Sequence, residues 1–345
     1  MALFNFLNKR ILGIDIGSVN TKIVEVVKNK NGFEVINFGI VPIVNFKEIV
    51  SYSYILEENL ASIISEFLKK AKISTKEVIF SIPAPYAFLV NFFIPEIPER
   101  SIPQVVKFEA QKQIPLSIEE VEIDYRYVKF ENENQINQWL VCLVATPKDY
   151  LKKIQTISYL AKLKFTSYSP EYFNFEPYFL NKGGSYVVVD LGHAYSLLCL
   201  IKEQKLVYAT KIKIRGYDFL DSIIKTTSLN EAESLDLLYK KGFYFLPEER
   251  ELYQLANVFL DNLSKTILEE IQKLENSLFL KVDKVYWTGG LSILTGFKEA
   301  MFKRFDRYKQ EVLTPFEIFK GSKFQNLGDK ATIFLHSLGI IYNKI

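Results

Sequence analysis

Eight residues near the start of the chain, Asp15-Ile-Gly-Ser-Val-Asn-Thr-Lys22, bring together the groups that an anion-binding turn needs. Gly17 lets the backbone turn tightly, so that successive amide N–H groups can face an anion. Ser18 and Thr21 add hydroxyl donors, and Lys22 can set a positive charge against a phosphate. Asp15 ends an apolar stretch, where a carboxylate can hold a hydrated Mg²⁺. The same residue types make an ordinary hairpin turn, so this segment alone leaves both readings open.

Two later segments bear on that choice. Asp190-Leu-Gly192, with Ser196 beyond it, repeats the Asp-x-Gly pattern after a second apolar run. Two such hairpins from two lobes can pinch a polyphosphate, with Asp15 and Asp190 flanking one metal ion. Thr288-Gly-Gly290 follows a third apolar run, and its paired glycines let the backbone approach a flat ligand such as adenine. Gly-x-x-x-x-Gly-Lys-Ser/Thr, Gly-x-Gly-x-x-Gly and His-Glu-x-x-His are all missing, which argues against a P-loop enzyme, a common dinucleotide dehydrogenase and a zincin protease. No residue stands out as a general base, so the expected catalytic set is empty. Glu109, Glu119, Glu120 and Glu122 read as a solvated helix edge and loop.

The elements that must position these residues follow from periodicity. Ile11–Ile16, Thr21–Lys28 and Phe33–Pro42 read as a three-stranded meander. A helix over 56–71 and a strand Glu77–Ile82 follow. Between 84 and 165 the texture changes, with Pro95, Pro98 and Pro103, a helix Gln104–Gln113, strands Ile123–Glu131 and Gln138–Thr146 around the turn Asn132-Glu-Asn-Gln135, and a helix Pro147–Lys162. The opening pattern then returns: Ser185–Gly192, Tyr195–Lys202 and Leu206–Ile214 are strands. Helices fit Glu231–Lys241 (capped by Asn230 and closed by Gly242), Glu248–Phe279, Phe297–Phe305 and Asp329–Tyr342, with a strand Lys284–Trp287 among them. The expected class is α/β, with two repeated lobes and an inserted α+β unit. Its divisions are 1–83, 84–165 and 166–345, with the last helix, 329–342, packing back on the core.

Composition narrows the function. A chain of 345 residues that is 48% hydrophobic and 24% charged can bury a sizeable core. Lys+Arg 43 against Asp+Glu 40 leaves +3, which gives no reason to expect a nucleic-acid partner. Two cysteines and two histidines are too few for a disulfide framework or a Cys- or His-based metal centre. No stretch is long and apolar enough to span a membrane, and the charges of the first ten residues follow the apolar ones, the reverse of a secretory signal. A cytoplasmic protein is expected. The 28 Phe and 20 Tyr read mainly as core, with sticky partner surfaces as the alternative.

In order and spacing these motifs resemble the actin-like ATPase superfamily over nearly the whole chain. Within it the chain is similar to the PilM family of type IV pilus assembly proteins. Asp15–Lys22 matches the first phosphate motif and Val187–Gly192 the second. Phe108-Glu-Ala-Gln-Lys-Gln-Ile-Pro-Leu-Ser-Ile-Glu-Glu-Val-Glu-Ile-Asp-Tyr125 resembles a PilM signature, and Gly289-Gly290 with Gly296-Phe297 the adenosine motif. The resemblance implies two lobes of duplicated ribonuclease-H-like topology. It implies ATP held by Gly17, Ser18, Val19, Thr21, Lys22, Gly192, Ser196, Glu233, Gly289 and Gly290, with Mg²⁺ reached by Asp15 and Asp190 through water. It also implies a scaffold, at most a slow ATPase, that serves pilus biogenesis and twitching motility at the inner membrane. Its partner would be the N-terminal cytoplasmic peptide of PilN, docked between the first lobe and the insert, with Pro83–Pro98 as candidate surface. Nucleotide would bias lobe closure, and a homo-oligomer is compatible with the family. The alternatives are a membrane-recruited filament protein related to FtsA, against which no tail follows Tyr342, and a small-molecule kinase. Asp236, one turn before Lys240, stands where the family often has Lys, Ser196 where Thr is commoner, Arg215-Gly216 where a Gly-Gly pair is usual, and His193 falls in the second turn.

Overall fold

The computed structural model describes residues 9–43, 57–131 and 137–344; the turn over 132–135 and residues 1–8 lie outside them. The chain opens with β1 (Lys9–Ile16), β2 (Asn20–Asn29) and β3 (Gly32–Pro42), followed by α1 (Glu57–Lys70) and β4 (Glu77–Ile82). The insert contributes β5 (Phe88–Pro95), α2 (Ile102–Gln113), β6 (Val121–Glu131) and β7 (Asn137–Pro147). Then come α3 (Lys148–Leu160), β8 (Lys164–Pro170) and a 3₁₀ stretch, Glu171–Phe179. The second lobe runs β9 (Ser185–Leu191), β10 (Ser196–Lys202), β11 (Lys205–Ile212), α4 (Gly216–Thr227), α5 (Glu231–Lys241), α6 (Arg250–Ser277), β12 (Lys284–Thr288), α7 (Phe297–Arg304) and β13 (Lys309–Val312). Last are β14 (Phe319–Lys320), α8 (Ser322–Gln325), a 3₁₀ stretch Gly328–Phe334 and α9 (Leu335–Lys344).

The duplication is visible in the strand orders. The first sheet runs β14-β3-β2-β1-β4-β8 and the second β11-β10-β9-β12-β13. Each has an antiparallel three-strand meander followed by two parallel strands, so β1 corresponds to β9 and β4 to β12. Both central strands are apolar on two faces, as strands covered on both sides must be. In β1, Leu12 and Ile14 face α1 and α3, whereas Ile11 faces the side covered by α9. Gly13 lies on that second side, and a Cβ there would fall 1.9 Å from the Ser337 carbonyl oxygen, so only glycine lets α9 lie so close.

Several elements differ from the sequence reading. The Pro83–Pro98 stretch forms β5, an edge of the third sheet β5-β7-β6, with Phe88 and Phe92 half-buried and Phe93 exposed. The helix α3 and strand β8, which the sequence pattern groups with the insert or leaves unassigned, pack on α1 and pair with β4. Leu151, Ile154 and Ile157 of α3 bury against the first lobe's apolar face, which is what draws the chain back there. The expected helix 329–342 divides into the 3₁₀ stretch and α9. Helix α4, unassigned in the sequence, buries Phe219, Leu220 and Ile223.

The insert is tied to the second lobe by polar clasps. Asn91 of β5 donates to the Ala209 carbonyl at 2.9 Å and accepts from the Ala209 N–H at 3.3 Å, so one amide completes the edge of β11. Arg126 of β6 donates to both oxygens of buried Glu176 at 3.0 Å, and Glu176 also accepts from Leu206 N–H at 2.9 Å. We expect Asn91→Ala to cost about 1–2 kcal/mol, because it strands both groups of Ala209. Chemical denaturation should show the loss, and an unchanged midpoint would remove this clasp from the account.

Candidate functional site

The two Asp-x-Gly hairpins meet across a cleft of about 400 Å³ between the lobes. Each hairpin places its aspartate at the end of a central strand. Asp15 pairs with Lys22 across β1 and β2, and Asp190 with Leu197 across β9 and β10. Both carboxylates are buried and line the cleft. The turns are tight: Gly17 N–H donates to the Asn20 carbonyl at 3.1 Å. A Cβ at Gly17 would lie 2.8 Å from that oxygen, and one at Gly192 would lie 2.4 Å from the Tyr195 carbonyl oxygen. Glycine is thus required by the close approach of the two hairpin arms.

The third element closes the back of the site. β12 runs parallel to β9 with Thr288 beside Asp190. Gly289 follows with φ +87°, and a Cβ there would sit 2.4 Å from Asp190 Oδ1. Thr332 Oγ1 donates to Thr288 Oγ1 at 2.8 Å, which joins the stretch before α9 to this strand end.

Of the residues proposed from sequence, Asp15, Gly17, Ser18, Val19, Lys22, Asp190, Gly192, Gly289 and Gly290 line the cleft. Thr21 and Ser196 do not. They occupy equivalent positions in the two hairpins, opposite Ile16 and Leu191, and point away because side chains alternate along a strand. Both hydroxyls are buried, and among the described residues neither has a hydrogen-bond partner. Glu233 is also absent from the lining: its side chain accepts from Asn230 N–H at 2.9 Å while Asn230 Oδ1 accepts from Glu233 N–H at 3.0 Å. This reciprocal cap uses the carboxylate to start α5. His193 lines the cleft beside Gly192, and burial, with the Arg215 charge, pushes it down to about 4. It is neutral at physiological pH.

The two aspartates are restrained differently. Lys22 Nζ donates to Asp15 Oδ2 at 3.2 Å, within the same hairpin. The second hairpin has Leu197 at the matching place, and Asp190 instead meets His336 Nε2 of α9 at 2.9 Å. Burial works against a charged His336, but the hydrogen bond and charge of Asp190, with Asp15 and Glu171 nearby, lift it to about 9. Glu171, at the head of the 3₁₀ stretch, also lines the cleft. It accepts from Ala84 N–H at 2.5 Å and from the Tyr195 hydroxyl at 2.8 Å, and burial, reinforced by Asp190 and Asp15, pushes it up to about 7. Sequence reasoning missed Glu171 and His336, whose neighbours are aromatic and apolar and carry no motif.

The site's chemistry is that of an anion and hard-cation cradle. It offers turn amides, one lysine and three buried carboxylates, Asp15, Asp190 and Glu171, with an apolar end made by Leu235, Leu238, Tyr239, Leu291 and Leu294. Among the described residues no group of three or more His, Cys, Asp or Glu could cage a metal. A Mg²⁺ held largely by water and phosphate, with two carboxylates beside it, fits such a donor set.

Comparison with known proteins agrees with this geometry. Many solved structures resemble the chain, among them the following three. A PilM–PilN type IV pilus biogenesis complex shares 19% identity over 97% of this chain and 98% of that one, with a TM-score of 0.77. The ethanolamine utilization protein EutJ from Carboxydothermus hydrogenoformans shares 14% over 98% and 92%, at 0.55. MreB5 of Spiroplasma citri bound to ADP shares 10% over 97% and 95%, at 0.52. At these identities the likeness is one of fold, the two-lobed actin-like ATPase fold. No curated protein sequence matches significantly. The profile of the type IV pilus assembly protein PilM matches residues 13–343, from the strand that carries Asp15 to the helix that carries His336, and the chain belongs to that family.

Proposed function

We propose that the protein is an ATP-binding scaffold of the type IV pilus inner-membrane assembly complex, and that it binds the N-terminal cytoplasmic peptide of PilN. The observation that carries the nucleotide part is the convergence of both Asp-x-Gly hairpins and Gly289-Gly290 on one cleft with an apolar end. The turn amides, Ser18 and Lys22 would hold phosphates, and Asp15 and Asp190 would orient the water shell of Mg²⁺, which supplies positive charge between phosphate oxygens. Glu171 is the buried carboxylate nearest in kind to a proton acceptor, yet Ala84 and Tyr195 already occupy its oxygens, which suits slow hydrolysis at most.

The partner part draws on the structural likeness to a PilM–PilN complex and on the insert. β5 pairs with β7 and ends the third sheet, so an extended peptide could add there, with Phe93 among the exposed side chains. Among the described residues no helix is long and apolar enough to cross a membrane, so the partner's helix would hold the protein at the inner membrane. Closure of the lobes would reach the insert through Asn91 and Arg126.

Calorimetric titration of the PilN peptide with and without Mg-ATP tests both parts. Several-fold tighter binding with Mg-ATP is expected, and identical affinities would remove the coupling. Asp15→Asn should weaken Mg-ATP binding by about 1–3 kcal/mol, roughly 5- to 150-fold. An unchanged affinity would count against a metal role for Asp15.

A further inference from the structure

The first sheet has two ends of opposite character. Asp15 and the cleft lie at one end of β1, and Lys9 begins the other, about 20 Å away. The register brings three further segments to that far end. Lys9 pairs with Lys28 beside the β2–β3 turn, which carries Lys30. Lys9 Nζ meets Glu77 at the start of β4 at 2.7 Å, and Glu77 pairs with Lys164 at the start of β8. Residues 9–10, 28–34, 66–77 and 159–164 therefore share one edge, and they hold ten Lys and Arg against three acidic residues. The chain as a whole holds 43 against 40, so positive charge is gathered here and depleted elsewhere. Lys30, Lys69, Lys72, Lys76 and Lys162 are exposed and, among the described residues, have no ion pair.

Two of these lysines stand where the backbone resists them. Helices α1 and α3 run out through the same motif, Ala71-Lys72-Ile73 and Ala161-Lys162-Leu163, with each lysine at φ +55°. Ile73 N–H donates to the Leu68 carbonyl at 2.9 Å and Leu163 N–H to the Ser158 carbonyl at 2.8 Å, a closure that usually has glycine at this place. Both side chains are exposed, so packing returns nothing for the strain. Beside Lys162, Tyr159 is 80% exposed and Leu160 39% exposed. Nine of the ten cations are lysine, whose point charge on a flexible stem suits diffuse attraction to a charged surface better than bidentate capture of one phosphate.

We propose that this edge docks on the anionic headgroups of a bilayer, with Tyr159 and Leu160 entering the headgroup layer. It rests on the inner-membrane placement given above, and adds a direct contact to the one made through the partner. Lysines on a row of turn tips can reach a flat anionic surface together, and each adds to the attraction. The cleft and the start of the insert at Ala84 lie at the other ends of β1 and β4, so docking by this edge leaves both free.

Vesicle flotation of the full chain, with no partner peptide present, measures the contact. One set of vesicles is phosphatidylcholine, and the other contains roughly one-third phosphatidylglycerol. Wild type should favour the anionic set, and less so as salt rises. Lys72→Gly with Lys162→Gly removes two charges and relaxes two strained residues. It should bind the anionic vesicles about 5- to 30-fold more weakly and melt no lower than wild type. Tyr159→Ser should weaken binding about 2- to 5-fold. Lys225→Ala with Lys273→Ala removes the same charge from exposed positions on α4 and α6 and should bind like wild type. Wild type that favours anionic vesicles no more than neutral ones overturns the proposal while placement through PilN stands. An equal loss in the variant of α4 and α6 also overturns it, because net charge and not this edge would then be responsible. Tighter binding of short duplex DNA than of anionic vesicles, per phosphate, overturns it in favour of a nucleic acid. A PilN peptide that fails to bind, with anionic binding intact, overturns the partner reading and leaves the lysine edge standing.

Discussion

Gly13→Ala should lower the melting temperature by about 4 °C. The Cβ it adds would fall 1.9 Å from the Ser337 carbonyl oxygen and 2.9 Å from Ile341 Cδ1. The first of these is backbone, which cannot rotate aside. Nor can α9 retreat, because a Cβ at Gly339 would meet the Asn174 carbonyl oxygen at 2.0 Å, so the helix already touches the 3₁₀ stretch. Overpacking of this kind costs about 3 kcal/mol, equivalent to roughly 4 °C at this size. Any shift of α9 would also pull His336 from Asp190, so Mg-ATP affinity should fall with stability. Gly183→Ala, where an added Cβ meets nothing within 4 Å, is the control and should melt like the wild type. Equal melting temperatures for the two variants would show that α9 is not clamped as described.

The second large effect is on pH dependence, in protein free of nucleotide and Mg²⁺. His336 is raised from 6.5 to about 9 in the folded state. The folded protein therefore binds this proton more tightly than the unfolded chain. Its stabilisation is fully present below about pH 6.5 and is lost as pH rises to about 9. The ceiling is on the order of 3 kcal/mol. Glu171, raised from 4.5 to about 7 chiefly by burial, acts in the same sense: its stabilisation is complete below about pH 4.5 and gone by about 7. Stability should thus decline across two adjoining windows. His336→Gln keeps a donor for Asp190 but cannot titrate, so it should flatten the upper window and, by removing the charge that holds Glu171 down, move the lower one to higher pH. Urea midpoints between pH 5 and 9.5 decide the matter, and parallel curves for wild type and variant would rule out His336 as the titrating group.

How much of this was legible beforehand depended on distance along the chain. Asp15, Gly17, Asp190 and Gly289 stand at the ends of apolar runs, and strand plus turn chemistry placed them within a few residues. The internal repeat disclosed the paired sheets. Glu233 shows why type and place do not suffice, since Asn230 three residues earlier claims its carboxylate for the cap. His336 looked like part of a buried face, because the neighbours that give it a role are 146 residues away in sequence. Phe88–Pro95 hid its strand because it is half-buried on both faces, which erases the alternation that betrays a strand. The same holds for β14, two residues long, which has no pattern of its own.

The glycine-seated helix has a consequence for synthesis. β1 through β4 leave the ribosome before the helix that covers one face of β1, β2 and β4, which begins roughly 250 residues after β4 ends. At about 5–20 residues per second, that face waits on the order of 10–50 s for its cover. Through that interval Ile11, Val24, Val26 and Ile79 have no α9 to bury them. The newborn first lobe therefore has need of a chaperone, and it acquires its finished form only once α9 has been made.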